Sequence, residues 1–156
     1  MRGWFFLILA ALSIAFPIRV SNRSENRGRV HAFQTAVLKA IQTLNTAQVQ
    51  YNSTFGCFAT SLTELGPPTS GTSNASAAEL IAGDLASGEK QGYKFTLTGT
   101  PGGYAITAVP SAFGSTGSRT FFSDQSLVIR ENYGQEPATA NSREVGTAAA
   151  KRGETN

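Results

Sequence analysis

Hydrophobic and polar positions fall into three regimes along the chain. Residues 4–16 are apolar at every position but Ser13. Trp4, Phe5, Phe6, Leu7, Ile8, Leu9, Leu12, Ile14 and Phe16 carry the bulk of that run, and Pro17 closes it. A membrane-crossing helix needs about 20 apolar residues, while the core of an export signal needs about 7 to 15. The length therefore predicts a signal or anchor segment over residues 1–20. Arg2 supplies a basic start, and Ser13-Ile14-Ala15 supplies a small-x-small site for cleavage at Ala15. Arg19, Arg23, Arg27 and Arg29 make the far flank the more basic one, which opposes its transfer out of the cytoplasm. Both a removed signal and a retained anchor are compatible with this pattern.

The second regime has helical and then strand periodicity, and predicts one domain over residues 21–133. Val30, Phe33, Val37, Ile41, Leu44 and Tyr51 recur at helical spacing, with Ala36, Ala40 and Ala47 beside them. Thr35, Lys39, Gln42, Thr46 and Gln50 fall on the opposite side, so the expectation is a long amphipathic helix over about 25–51. Residues 52–90 read as loop with short helical pieces. Ser61 and Glu64 have capping-box spacing before Gly66-Pro67-Pro68. A further helix is expected over 77–86, capped near Ser76, burying Leu80, Ile81 and Leu85 and stopping at Gly88. From Tyr93 the period becomes two. Tyr93, Phe95 and Leu97 alternate with Lys94, Thr96 and Thr98, and a Gly/Pro turn over 99–103 leads to a matching strand from Tyr104. Residues 119–123 and 127–130 give two more, turning near Asp124. The fold class is α+β: a long helix packed on an antiparallel meander of about four strands over 91–132. In the third regime, residues 134–156, apolar periodicity vanishes and a disordered tail is expected.

Composition narrows the chemistry. Charged residues make up only 15% of the chain, and 13 Lys and Arg against 10 Asp and Glu leave a net charge of +3. The basic residues are not interleaved with aromatics in a stripe, so nucleic acid is not an expected partner. They gather after the apolar run, where they suit lipid headgroups. Cys57 is the single cysteine and is expected to be a small buried hydrophobe. His31 is the single histidine, which removes histidine-cluster metal sites, and no serine sits in a nucleophile elbow. Gly99-Thr100-Pro101-Gly102-Gly103 lacks the Lys-Ser/Thr of a phosphate loop and precedes a strand, so it reads as a hairpin turn. Calcium at Asp124 with Glu131 would need about six to eight oxygens where acids are few. The expectation is a non-enzymatic protein with no cofactor and no metal.

Two segments carry a family resemblance. Residues 36–68, AVLKAIQTLNTAQVQYNSTFGCFATSLTELGPP, resemble the second half of the stem helix of type IV pilins and type II secretion pseudopilins, with its following loop. GYKFTLTG, GYAITAVP and GSRTFFSDQSLVIREN resemble the strands of minor pilin-like proteins. The resemblance implies a pilin-like fold and a subunit of a pilus or secretion pseudopilus, held in the inner membrane with its domain outside the cytoplasm. Its implied partners are other pilin-like subunits, assembly proteins and the membrane. Gly3 and Trp4 match the family's processing junction, but Ile8 stands where the family has a glutamate. Leu38 and Val49, beside the main stripe, become candidate subunit contacts. The alternative is a soluble secreted or periplasmic binding module with a pilin-type head and a cleaved signal peptide.

Overall fold

The computed structural model describes residues 22–146, with side chains from residue 28 onward. The apolar run at 4–16, with Gly3, Trp4 and Ala15, lies outside the described residues, as does the chain beyond 146. The first element is helix α1 (Asn22–Phe55), longer at both ends than the periodicity requires. It stops at Gly56, whose φ of 75° is accessible to glycine at little cost and whose N–H bonds the Asn52 carbonyl at 2.8 Å. Val37, Ala40, Ile41, Leu44, Ala47 and Tyr51 are buried as the stripe predicts, and Thr35, Lys39, Gln42, Thr46 and Gln50 are exposed.

Two four-residue helices follow, α2 (Leu62–Leu65) and α3 (Gly83–Ala86). The Ser61 hydroxyl accepts from the Glu64 N–H as expected, but the Glu64 carboxylate reaches back to the Thr60 N–H and hydroxyl. The helix expected over 77–86 is confined to its last turn. Its earlier residues are held by the end of α2: Ala78 N–H bonds the Glu64 carbonyl, and Leu80 and Ile81 both bond that of Leu65. Glu79, at φ 56°, breaks any helical run there. Ile81 and Leu85 are buried all the same.

The sheet is antiparallel and strictly sequential, with six strands rather than four. β2 (Tyr93–Thr100) and β3 (Gly103–Pro110) pair along their whole length across a Pro101-Gly102 turn. Tyr93, Phe95 and Leu97 point inward against Tyr104, Ile106 and Ala108, as the alternation predicts. β4 (Thr120–Asp124) continues the meander. β5 (Arg130–Asn132) starts three residues later than expected. Asp124 Oδ1 accepts from the Ser126 N–H at 2.9 Å, and the Leu127 N–H bonds the Asp124 carbonyl, so the turn consumes the residues assigned to the strand. Two edge strands were not legible: β1 (Glu89–Lys90) and β6 (Arg143–Glu144).

β6 lies within the segment expected to be a disordered tail, and the described part of that segment is docked. The Thr120 hydroxyl and the Asn132 amide both bond the Glu136 carbonyl, Ala138 is buried, and Val145 packs on the core. Single anchors a few residues apart have no period, so pattern reading passes over them.

α1 also buries three amides: Gln34, Asn45 and Gln48. Gln48 takes a slot in the apolar stripe between Leu44 and Tyr51. Its Nε2 donates to the Ala59 carbonyl and its Oε1 accepts the Ala59 N–H, each at 2.9 Å. The loop after α1 is thereby pinned back onto the helix by a closed amide–peptide pair. Gln48→Leu keeps the volume but leaves both Ala59 peptide groups buried and unpaired. It is expected to cost about 2–4 kcal/mol, read as a lowered urea midpoint at unchanged slope.

Candidate functional site

The other two amides set how α1 lies on the sheet and so which face it leaves outside. Asn45 Nδ2 donates to Ser123 Oγ at 2.9 Å, and its Oδ1 accepts from the Tyr104 hydroxyl at 3.1 Å. Ser123 Oγ passes the chain on to the Val128 carbonyl. Burial, with the Asp124 charge adding to it, pushes the Tyr104 hydroxyl up to about 12, so it stays a donor at every physiological pH. Gln34 Nε2 donates to Ser118 Oγ at 3.1 Å, and its Oε1 accepts from the Arg119 guanidinium.

Arg119 leads into a carboxylate clasp. Its Nη1 lies 2.7 Å from Glu131 Oε2, and Arg143 Nη2 lies 2.6 Å from Oε1. The Tyr133 hydroxyl donates to Oε1 at 3.2 Å. The Arg119 and Arg143 guanidinium carbons stand 5.5 and 4.7 Å from the Tyr133 ring centre. Glu131 is 4% exposed. Burial raises its pKa, but hydrogen bonds from Arg143 and Arg119, the Arg119 charge and Tyr133 outweigh burial, and the net shift is downward. The clasp joins α1, β5 and β6 at one end of the sheet.

The face of α1 turned outward has a distinct chemistry. From Ala32 to Phe55 the only charged residue is Lys39. Thr35, Thr43, Thr46, Ser53 and Thr54 each donate the side-chain hydroxyl to the carbonyl four residues back, which turns the threonine methyls outward. Val49 is 48% exposed and faces Leu127, 50% exposed, across an open groove of about 310 Å³ lined also by Gln42, Asn45 and Thr46. The lining is amide, hydroxyl and apolar, and its Thr46 hydroxyl donates to the Gln42 carbonyl. Leu127 was missed by sequence reading. It sits at φ 64°, where the turn after Asp124 leaves it, and the strand assigned there hid its exposure.

The two residues singled out beside the stripe part company. Val49 is on the outer face, whereas Leu38 is half-buried against its own core. Cys57 is exposed, contrary to expectation. It follows Gly56 at the mouth of a second groove beside the 98–103 hairpin, and the buried position belongs to Ala59. His31 is exposed. Asp124 and Glu131 are engaged in the turn and the clasp, and among the described residues no three His, Cys, Asp or Glu side chains come together as metal ligands. Among those residues, too, no helix is long and apolar enough to cross a membrane.

Compared with protein-family models, with curated proteins and with solved structures, the chain finds no match.

Glu131→Gln is expected to destabilise the domain by about 2–3 kcal/mol, below the full cost of breaking a buried pair because Arg143 is partly solvated. The pH dependence carries a sign. The folded pKa is depressed, so the carboxylate's contribution is complete above its unfolded value near 4.5 and is lost as pH falls below it. Thermal melts of the parent should drop steeply between pH 5 and acid conditions, roughly over the carboxylate range. Those of Glu131→Gln should fall less.

Proposed function

We propose that the chain is a pilin-like subunit that works by assembly, docking neighbours on the outer face of α1, with the apolar run at residues 4–16 holding it in the inner membrane beforehand. The observation that carries this reading is the asymmetry of α1. Its first buried residue among those described is Gln34, and before it Gly28, Arg29, His31 and Ala32 are exposed while Val30 and Phe33 are half-buried. Beyond that point one side is buried on the sheet while the other is almost free of charge.

A solvent-facing helix of a monomer is usually kept soluble by Lys and Glu. Here the Thr and Ser hydroxyls are already bonded within the helix, and covering this face would desolvate one ammonium group and the amides of Gln42 and Gln50. Val49 and Leu127 add exposed apolar surface in the middle of it. The pilin resemblance of residues 36–68 supplies the kind of partner, another helix of similar make. The extracytoplasmic location and the non-enzymatic role belong to the same proposal.

A second reading is supported by Ile8 and by the shortness of the apolar run. A soluble secreted module with a cleaved signal would need neither the glutamate nor a full span. Mass and N-terminal sequencing of the protein from its own host separate the two. The subunit reading expects membrane-bound chains beginning at Trp4 with a methylated amine, and cross-linked oligomers that Val49→Lys diminishes. Val49 is exposed enough for that substitution to leave the melting temperature within about 1–3 °C. Chains free of the membrane and beginning near Phe16 would sink it.

A further inference from the structure

We infer that residues 139–146 form a strap, held shut largely by charge, which opens as a unit while the rest of the domain stays folded and so uncovers the edge of β5. The inference goes beyond the assembly reading and does not rest on it.

Burial sets the boundary of the strap. Ala138 is buried, and the Glu136 carbonyl accepts from Thr120 Oγ1 and Asn132 Nδ2, so the chain is fixed to the sheet up to that point. From 139 to 146 no residue is buried, and Ser142 and Val145 alone are half-buried. Residues 139–142 close on themselves. The Thr139 N–H bonds Ser142 Oγ and the Ser142 N–H bonds the Thr139 carbonyl, each at 2.9 Å. That turn and β6 can therefore swing as one body about Ala138.

The ties of the strap to the sheet are mostly polar. On one face Arg143 Nη2 bonds Glu131 Oε1 at 2.6 Å, and its guanidinium lies over the Tyr133 ring. On the other face Arg130 donates to the Ser142 carbonyl at 3.0 Å and pairs with Glu144 at 3.3 Å. The two-residue ladder with β5 continues in the bond from the Val145 N–H to the Ile129 carbonyl, and the Val145 side chain touches the core. Ordering this stretch costs backbone entropy, and one half-buried valine offsets little of it. The charged pairs must supply the balance. The Arg143 and Glu144 side chains are 43% and 48% exposed, so both pairs lie open to the screening of dissolved ions.

Opening need not strand a buried charge. With Arg143 gone, Glu131 keeps Arg119 Nη1 at 2.7 Å and the Tyr133 hydroxyl, and Arg119 keeps Gln34. The inner half of the clasp thus survives, which separates loss of the strap from loss of the fold. The opposite edge is built differently. β1 is also two residues long, but it sits between α3, where Leu85 is buried, and the Gln91-Gly92 turn into β2, so it is tethered on both sides. Release of β6 frees the Ile129 carbonyl and makes β5 the edge of the sheet, where a strand of another chain can pair.

The test is hydrogen–deuterium exchange of the full chain in non-ionic detergent at neutral pH, read by mass spectrometry on peptides from β6 and from β3. In low salt the β6 amides are expected to be protected, but about tenfold less than those of β3. Arg143→Gln should speed β6 exchange about tenfold and added salt about threefold, while β3 changes by less than about twofold. β6 amides as protected as those of β3, or both sets responding in parallel to Arg143→Gln, would mean that the strap opens only with the whole domain and would overturn the inference. So would β6 amides that exchange freely in low salt, or whose protection is insensitive to salt or to Arg143→Gln.

Discussion

A buried amide is tolerable only when both its ends are bonded, and α1 buries three of them. Gln34, Asn45 and Gln48 reach respectively Ser118 and Arg119, Ser123 and Tyr104, and the Ala59 peptide. Apolar contact would let the helix slide or roll by a few degrees at little cost, because methyl groups are interchangeable neighbours. The amides remove that freedom, since a displaced helix would leave several buried donors and acceptors unpaired at about 1–3 kcal/mol each. Among the described residues no buried side-chain polar atom lacks a partner. The register of α1 on β4, and with it the identity of the outward face, follows from that requirement.

The same residues mark the limit of what pattern reading delivers. The stripe of α1 and the alternation of Tyr93, Phe95 and Leu97 are plain because each buries an apolar side chain at the period of its own element. Gln48 was passed over. It stands four residues after Leu44 and three before Tyr51, so a polar residue occupying a core slot was itself the signal. The helix expected over 77–86 failed for a different reason. Ile81 and Leu85 are buried and Leu80 half-buried, but its early N–H groups bond carbonyls at the end of α2, a long-range competition that local spacing does not encode. The clasp was equally hidden, because Arg119, Glu131 and Arg143 are spaced 12 residues apart along the chain and meet only once β4, β5 and β6 are side by side.

The clasp does for the sheet's late strands what the amides do for the helix. β6 is two residues long and both are exposed, too little to hold a strand by apolar burial. Glu131 compensates by holding Arg143 through one oxygen and Arg119 through the other, while Arg130 on the opposite face bonds the Ser142 carbonyl and pairs with Glu144. Consecutive residues of one strand thus anchor the chain on both faces of the sheet. A segment without hydrophobic periodicity is ordered by charge and by a few carbonyl contacts.

What this leaves for function is a division of labour along α1. Its inner side is saturated with specific polar bonds, which make the domain rigid and its orientation single-valued. Its outer side has hydroxyls that are satisfied within the helix and methyls that are not covered, and its exposed polar tips are those of Lys39, Gln42 and Gln50. On the proposed reading, an inner face fixed by its amides and an outer face of few charges suit repeated packing of one domain against its neighbours. In the groove between Val49 and Leu127 the one buried amide, Asn45, is already bonded at both ends, so what the groove offers is the apolar surface of Val49 and Leu127 and the exposed amide of Gln42.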